Sequence, residues 1–321
     1  MMIKKYLFSF FLFFISLFFA IIFCEVTLRI KHSIIPNYDI EMWKYAKELK
    51  VRVENENIGH VHVKNKSGIF QKVEIKTNAY GQRDINYDNK YLEKFDKSFL
   101  VIGNSIVLGW GVEREKTFTY LLNIEAKNNN KNYIFINGGI GNYNSIRYVN
   151  NYLENWKDLK FTHLIINYFV TDAEILENKK SNFFIEYTHT GVILWKLYKS
   201  FDSNLNVENI TNYYKKIYND DYEGFIIMKS ELKKLNNYCN VNKIKCTIVN
   251  MPDIHQLNPY KLSFINLKIK KFSEENNIEF IDLLPIFNNM DEKKVWNKYQ
   301  DPHPNDFAHK IIAKKIFENL K

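Results

Sequence analysis

Residues 99–112 read FLVIGNSIVLGWGV, a run of strand-forming residues that ends in a glycine, a serine and two further glycines. The run before Gly103 is apolar at every position, which is typical of a strand covered on both faces. Gly103 allows a sharp turn, and Gly109 and Gly111 allow other groups to approach the backbone closely. The stretch therefore predicts a buried strand that turns abruptly and presents Ser105 at the start of a helix.

Apolar runs of this kind recur along the chain with helix-like segments between them. The runs are FLVIG (99–103), YIFING (133–138), HLIINYF (163–169), CTIVN (246–250) and IEFIDL (278–283). Short apolar strands that alternate with helices are the pattern of a parallel sheet covered by helices on both faces. We therefore expect a doubly wound α/β domain.

The composition limits the classes of function. The chain has 321 residues, of which 46% are apolar, so it can bury a full core. Its formal charge of +9 comes mostly from lysines scattered among asparagines and isoleucines, without a basic block of the kind that follows a nucleic-acid backbone. The cysteines and histidines lack the spacing of zinc ligands. We expect no nucleic-acid partner, no metal and no cofactor.

Two cysteines, Cys239 and Cys246, lie close together near the fourth apolar run. An oxidising compartment would permit a disulfide between them, and two buried thiols that act as small apolar side chains are the alternative. The sequence leaves both open, because it does not show whether the two Cβ atoms face each other.

The amino-terminal segment indicates the compartment. Residues 6–24 read YLFSFFLFFISLFFAIIFC, which is uncharged and, at about 1.5 Å per residue, comes close to the roughly 30 Å of a bilayer core. A cleavable signal peptide is the competing interpretation, but the apolar stretch exceeds the usual length of about 7–15 residues and no small-residue cleavage site follows. Since Lys4 and Lys5 favour the cytoplasmic side, we expect a single-pass anchor in the inner membrane and a main domain outside the cytoplasm.

These patterns predict the organisation of the whole chain. The segments are a cytoplasmic tail (1–5), a transmembrane signal anchor (6–24), a juxtamembrane appendage (25–97) and the α/β domain (98–321), which contains an aromatic-rich insertion (181–222). The insertion could serve as a lid, as a surface that skims the membrane or as a site for a partner.

The residues at the strand ends suggest nucleophilic chemistry. Reactive groups of open α/β sheets collect outside the carboxyl ends of the strands, where Ser105 lies. A serine nucleophile needs a base and a carboxylate that orients the base, and His303, two residues after Asp301 in the loop before the last helix, is the best placed histidine. An ordinary N-cap serine and a solvated loop histidine are the alternatives.

Three blocks of sequence carry a resemblance to a known family. VIGNSIVLGWGVE (101–113), NGGIGNYNS (137–145) and DPHPNDFAHKIIA (301–313) resemble, in the family's order, the nucleophile block, the second block and the closing Asp/His block of SGNH, or GDSL-like, hydrolases. NAYGQRD (78–84) and the CEVTLR that follows the apolar segment are similar to the preamble of membrane-anchored bacterial members. The resemblance implies a flavodoxin-like three-layer α/β/α fold with a central parallel sheet of about five strands, preceded by one transmembrane helix.

The resemblance also implies roles for individual residues. Ser105 would be the nucleophile, His303 the base and Asp301 the acid that orients it. The oxyanion hole would use the backbone N–H of Ser105 and that of Asn142, where the family usually has glycine; Gly141 is the alternative if the turn shifts by one residue.

Three departures from the family pattern bear on the site. The third block, usually G-x-N-D, reads FVTD here, which places Thr171 at the asparagine position and leaves Asp172. Thr171 must then donate through its hydroxyl, or the enzyme is slow. Asn104 stands where the family usually has aspartate, which should alter support of the turn. Asp301 precedes His303 by two residues, where the family usually has three, so the orienting role of Asp301 is the least secure part of the triad.

The function implied is that of a membrane-anchored serine esterase or deacylase that acts through an acyl-enzyme. Its substrates would be O-acyl groups, such as acetyl, of an envelope glycan or another small ester. The alternatives are acyl transfer to a sugar hydroxyl, a lipid-active esterase, and a non-catalytic scaffold on the same fold that binds a glycan or a partner protein.

Overall fold

The structure of the chain is a computed structural model. It describes residues 2–176, 182–202, 207–298 and 301–320. These residues form two compact units: residues 2–47 with 182–202, and residues 48–176 with 207–298 and 301–320. Of the predicted insertion (181–222), residues 181 and 203–206 lie outside the described residues.

The strands, in chain order, are β1 (Lys50–Arg52), β2 (His60–His62), β3 (Ser67–Phe70), β4 (Val73–Lys76), β5 (Lys97–Gly103), β6 (Tyr133–Gly139), β7 (His163–Tyr168), β8 (Lys245–Asn250), β9 (Glu279–Asp282), β10 (Trp296–Lys298) and β11 (Asp301–Pro304).

The α-helices are α1 (Met2–Ile34), α2 (Tyr38–Leu49), α3 (Asn89–Leu92), α4 (Ser105–Leu108), α5 (Phe118–Asn128), α6 (Ser145–Asn151), α7 (Phe183–Tyr187), α8 (His189–Asp202), α9 (Val207–Ile217), α10 (Glu223–Val241), α11 (Ser263–Glu275), α12 (Leu284–Phe287) and α13 (Asp306–Asn319). Single turns of 3-10 helix occur at Arg114–Lys116, Val170–Ala173 and Glu292–Lys294, and a π-helical turn occurs at Tyr152–Trp156.

The central sheet of the larger unit has five parallel strands in the order β6-β5-β7-β8-β9. Each strand contains one of the five apolar runs, and the order is that of flavodoxin-like sheets. The predicted fold class is confirmed. Because the order reverses at β5, the loops after β5, β6 and β7 meet at the carboxyl edge of the sheet, where such folds hold their ligands.

Alternate residues of the strands enter the cores on the two faces of the sheet. One core includes Leu100, Ile166 and Ile248 and residues of α6, α9, α10 and α11. The other includes Val101 and Val249 and residues of α5, α12 and α13. Burial on both faces explains why the strands are apolar at successive positions rather than at alternate ones.

The smaller unit is built on α1. The segment Tyr6–Ile34 of this helix is long and apolar enough to cross a membrane, and most of its side chains are exposed. Glu25 of α1 caps the first turn of α8: its carboxylate accepts hydrogen bonds from the backbone N–H of His189 (3.0 Å) and from the N–H and hydroxyl of Thr190 (both 2.8 Å). A carboxylate satisfies the free N–H groups of a helix start and complements its dipole.

Two β-hairpins, β1 with β2 and β3 with β4, precede the central sheet in the larger unit. They lie within the segment predicted as an appendage, and the boundary between residues 97 and 98 stays a prediction. Cys239 and Cys246 are joined in a disulfide, the first of the two alternatives that the sequence left open.

Candidate active site

The turn that carries Ser105 joins β5 to α4. The Asn104 side chain caps α4 by accepting a hydrogen bond from the backbone N–H of Ile106 (2.9 Å), so asparagine supports the turn in the place of the usual aspartate. A Cβ at Gly103 would lie 2.6 Å from Cγ2 of Val107, which is too close for any larger residue. Ser105 is thereby held as the first residue of a helix, with its own N–H free of the helical ladder.

A buried arginine holds the far end of this turn. Arg83, which is 1% exposed, donates from Nη1 to the carbonyls of Leu108 (2.9 Å) and Gly109 (2.8 Å). Its Nη2 donates to the carbonyls of Val112 and Glu74 (both 2.9 Å). The guanidinium therefore satisfies the carbonyls at the end of α4. This role of Arg83 was not predicted from the sequence, since NAYGQRD was noted only for its similarity to the preamble of membrane-anchored bacterial members.

His303 reaches Ser105 from the other end of the chain. It lies on β11, which pairs with β10 directly before the N-cap Asn305 of α13. The Nε2 atom of His303 is 2.8 Å from Oγ of Ser105, a hydrogen-bond distance. This is the contact that a serine nucleophile and its base require.

Asp301 orients the histidine despite the short spacing. Its Oδ1 atom accepts hydrogen bonds from Nδ1 of His303 (2.6 Å) and from the backbone N–H of His303 (3.2 Å). One carboxylate oxygen thus holds both the ring and the backbone of a residue two positions ahead, a local turn that three-residue spacing does not form. Oδ2 accepts a further bond from Nδ2 of Asn297 (3.2 Å).

The environment keeps Asp301 ionised. Burial alone would raise the pKa of this carboxyl group, but the hydrogen bonds and charge of His303 and the hydrogen bond of Asn297 bring the pKa below its ordinary value. An ionised Asp301 fixes the proton of His303 on Nδ1, which leaves the Nε2 lone pair for the hydroxyl of Ser105.

The second block follows β6, next to β5 in the sheet. The carbonyl of Gly141 accepts hydrogen bonds from Nζ of Lys50 (2.7 Å) and from Nε2 of His60 (3.0 Å), and that of Asn142 accepts one from Nη1 of Arg147 (2.9 Å). Because a trans peptide places its N–H opposite its carbonyl, these contacts fix the direction of the Asn142 N–H, the expected oxyanion donor. Asn142 has a φ of 63°, a conformation that asparagine tolerates better than most residues.

Lys50 lies within this cluster. Burial of its ammonium and, as a smaller cause, the charge of Arg147 together lower the pKa of Lys50 to about 7. The hairpin that contributes Lys50 and His60 therefore holds the second block, and this contact between distant segments had no signal in the sequence.

The third block lies on the other side of β5, after β7. Thr171 is half-buried in the 3-10 turn Val170–Ala173. Asp172 is fully buried, and its Oδ2 accepts hydrogen bonds from the hydroxyl of Tyr148 (2.7 Å) and the N–H of Phe169 (3.3 Å). Burial is the main reason that the pKa of Asp172 is raised well above its ordinary value, and the hydrogen bonds of its carboxyl group fix the turn.

A pocket of about 370 Å³ opens beside Ser105 and His303. Its wall is mostly apolar, and its lining residues are Ser105, Ile106, Phe169, Met251, Pro252, Asp253, Ile254, His255, Pro302, His303 and Pro304. The loop after β8 supplies five of these residues, none of which the sequence had singled out. Within the ranges that the structure describes, no group of three or more His, Cys, Asp or Glu side chains is arranged to hold a metal ion.

The structure thus brings Ser105, His303 and Asp301 into one hydrogen-bonded chain. It places Gly141, Asn142 and Thr171 on the two loops that flank Ser105, one on each side. The chemistry that such an arrangement can support is attack of a serine hydroxyl on an acyl carbon.

Comparison with known proteins gives likenesses of fold. No family model matches the chain, and no curated protein matches it. The chain is similar to a lipolytic protein of the G-D-S-L family from Desulfitobacterium hafniense (12% identity, 70% of this chain and 100% of that chain, TM-score 0.45). It is also similar to an acetylxylan esterase from Geobacillus stearothermophilus (14% identity, 70% and 94%, TM-score 0.46) and to a two-domain esterase active on acetylated mannans (15% identity, 69% and 48%, TM-score 0.44).

One of these solved structures is a protein of the G-D-S-L family, which the three sequence blocks resemble, and the other two are esterases. At these identities and TM-scores the likeness concerns the fold, and the roles proposed below rest on distances within the chain itself.

Proposed function

We propose that the chain is a serine esterase of the SGNH type that acts through an acyl-enzyme. The observation that carries the proposal is the chain of hydrogen bonds from Ser105 Oγ to His303 Nε2 (2.8 Å) and from His303 Nδ1 to Asp301 Oδ1 (2.6 Å) beside an open pocket. A serine, a histidine and a buried carboxylate in this order are the elements of nucleophilic acyl transfer.

The first half of the reaction forms the acyl-enzyme. His303 Nε2 takes the proton of the Ser105 hydroxyl while Oγ attacks the carbonyl carbon of the ester. Asp301 stabilises the imidazolium that forms, and the leaving alcohol receives the proton from Nε2 as the ester bond breaks. In the second half, water or another hydroxyl gives its proton to His303, attacks the acyl carbon and releases Ser105.

Backbone donors stabilise the negative oxygen of each tetrahedral intermediate. The N–H of Ser105 and the N–H of Asn142 are the proposed donors, with the Gly141 N–H as the alternative. Thr171 takes the place of the usual asparagine and donates through its hydroxyl. Loss of one such donor costs roughly 10²–10³ in turnover, so a weaker Thr171 contact would slow the enzyme without abolishing catalysis.

The pocket can receive the acyl part of an ester, because Phe169, Met251 and Ile254 supply apolar wall. The resemblance of the three sequence blocks, rather than the size of the pocket, favours a small acyl group such as acetyl. We therefore propose O-acetyl groups of a glycan, or of another small ester, as the substrate.

The apolar helix α1 is proposed to anchor the chain in the inner membrane, with the residues after it outside the cytoplasm. Lys4 and Lys5 on one side of the apolar segment support this orientation. A reporter enzyme that is active only outside the cytoplasm, fused after Lys321, should be active in cells; an inactive reporter would contradict the orientation.

Activity and labelling of the full chain in detergent micelles test the proposed reaction. Wild type should release nitrophenol from nitrophenyl acetate and should be labelled by a fluorophosphonate probe. Ser105→Ala should lose the label and nearly all turnover, and Ser67→Ala, which alters an exposed serine on β3, should retain both. Folded wild type that neither turns over nor is labelled would refute the esterase and favour the scaffold.

A further inference from the structure

The pocket contains a second aspartate and histidine with the same local geometry as the first. After β8, Asp253 and His255 are two residues apart, as Asp301 and His303 are. Asp253 Oδ1 accepts hydrogen bonds from the backbone N–H of His255 (3.0 Å) and from its Nδ1 atom. The turn that orients the proposed base is therefore built twice.

The second pair lines the same pocket as Ser105 and the proposed base: Asp253 and His255 form part of its wall, as His303 does. Burial opposes protonation of His255, but the hydrogen bond and charge of Asp253, together with the charge of Asp301, raise its pKa. The His255 side chain is 62% exposed, so a molecule that enters the pocket can reach it, whereas the Asp253 carboxylate is largely covered at 12%.

The hydrogen bonds between Asp253 and His255 do more than stabilise the turn that joins them. A turn of this type needs only the contact between a carboxylate and the backbone N–H two residues ahead. Here the carboxylate also holds the ring at Nδ1, which leaves Nε2 as the free atom of an exposed imidazole. The proposed triad does not use Nε2 of His255, because the hydroxyl of Ser105 is hydrogen-bonded to His303.

We propose that Asp253 and His255 form a subsite for the alcohol part of the substrate, in which His255 Nε2 bonds a hydroxyl group next to the one that carries or accepts the acyl group. The chemical class is a carbohydrate or polyol with neighbouring hydroxyls. An imidazole suits a hydroxyl in either charge state, since the hydroxyl can donate to the neutral ring and accept from the protonated one. This inference rests on the proposed esterase function.

The subsite adds no proton carrier to the reaction. During deacylation the attacking hydroxyl gives its proton to His303 Nε2, its oxygen forms the new ester bond, and the bond between the acyl carbon and Ser105 Oγ breaks as Oγ receives that proton. His255 holds the neighbouring hydroxyl throughout. By reversal of the same steps, it holds the leaving sugar during acylation.

Partition of the acyl-enzyme between competing acceptors tests the subsite. The full chain is supplied with nitrophenyl acetate and with either ethanol, which has one hydroxyl, or a methyl glycoside, which has neighbouring hydroxyls. The ratio of acetylated acceptor to free acetate is independent of the rate of acylation, because both products arise from one acyl-enzyme. Wild type should favour the glycoside over ethanol at equal concentration by roughly 3- to 10-fold, the worth of one hydrogen bond.

His255→Ala should abolish this preference, and His255→Gln, whose amide still bonds a hydroxyl, should retain part of it. His163→Ala, which alters a histidine at the amino edge of the sheet, should keep the full preference. An equal ratio for glycoside and ethanol in wild type, or an undiminished preference in His255→Ala, would overturn the subsite while nitrophenol release still supports the esterase. Absence of nitrophenol release from wild type would instead refute the proposed function, and the subsite with it.

Discussion

Replacement of Asp301 by asparagine tests how the proposed base is oriented. The carboxylate accepts two hydrogen bonds from His303 through one oxygen, at 2.6 Å from Nδ1 and 3.2 Å from the backbone N–H. In Asp301→Asn the negative charge is lost, and an amide nitrogen facing Nδ1 would require the ring to carry its proton on Nε2. A ring in that tautomer donates to Ser105 and cannot deprotonate it.

Two effects of the replacement determine the expected loss of turnover. The replacement removes the charge that stabilises the imidazolium and disfavours the competent tautomer, and the same change in a well-studied serine protease lowers turnover about 10⁴-fold. Because the same oxygen accepts both bonds, an amide nitrogen in its place also loses the bond from the backbone N–H of His303, so the folding of the variant has to be checked. We expect kcat to fall by about 10³–10⁴, which corresponds to roughly 4–5.5 kcal/mol of activation free energy.

The assay is nitrophenyl acetate turnover by the full chain in detergent, with the thermal unfolding midpoint as a check on folding. Asp306→Asn is the matched control: Asp306 is an exposed acidic residue at the start of α13 and pairs with Lys116 at the surface. That variant should retain wild-type turnover. A folded Asp301→Asn enzyme that keeps more than about a tenth of wild-type kcat would refute the orienting role.

Three further outcomes are expected. Thr171→Asn should raise nitrophenyl acetate turnover by up to about 10²-fold if the hydroxyl is a weak oxyanion donor, and unchanged turnover would place Thr171 outside the oxyanion hole. Arg83→Met should lower the free energy of unfolding by at least about 3 kcal/mol in denaturant titration, because each buried carbonyl left without a donor costs roughly 1–3 kcal/mol; a loss below 1 kcal/mol would contradict this. The pKa values of both His62 and His309 are lowered to about 3, chiefly by burial, so the unfolded chain binds more protons than the folded chain as the pH falls. Stability should therefore fall by about 1.6 kcal/mol for each ring between pH 6.5 and pH 5. Stability that is equal at the two pH values would show that these rings do not stay neutral in the fold.

The sheet can be predicted from the sequence because the burial of each strand is visible in the apolar composition of that strand alone. The five strands are covered on both faces, so each is a continuous apolar run that can be found without knowledge of its neighbours. Ser105 and His303 could be predicted for a related reason: each lies where a recognisable strand or helix begins or ends.

The residues that support the site were harder to predict. Arg83 is buried, Lys50 and His60 are half-buried, and the partners of all three are backbone carbonyls in other segments. A carbonyl acceptor has no signature in the sequence, so nothing distinguishes these side chains from solvated ones. For the same reason the sequence predicts residues 25–97 only as an appendage and does not show that residues of β1 and β2 contact the second block.

Asp253 and His255 had a signal that could have been used. Once a carboxylate can hold a histidine two residues ahead, every Asp-x-His sequence after a strand is a candidate, and the sequence contains PDIH after the fourth apolar run as well as DPH before the last helix. A triad needs only one histidine, so His303 alone accounts for the base that Ser105 requires.

The short turn from Asp301 to His303 reduces the number of separate chain segments that the proposed site needs. Acid and base are oriented within one three-residue segment, so the fold has only to bring two pieces together: this segment and the turn that carries Ser105. A segment so self-contained could be moved by engineering, as a unit, to the end of another strand that faces a serine. The moved segment would keep the orientation of its histidine, because the aspartate that fixes this orientation belongs to the same segment.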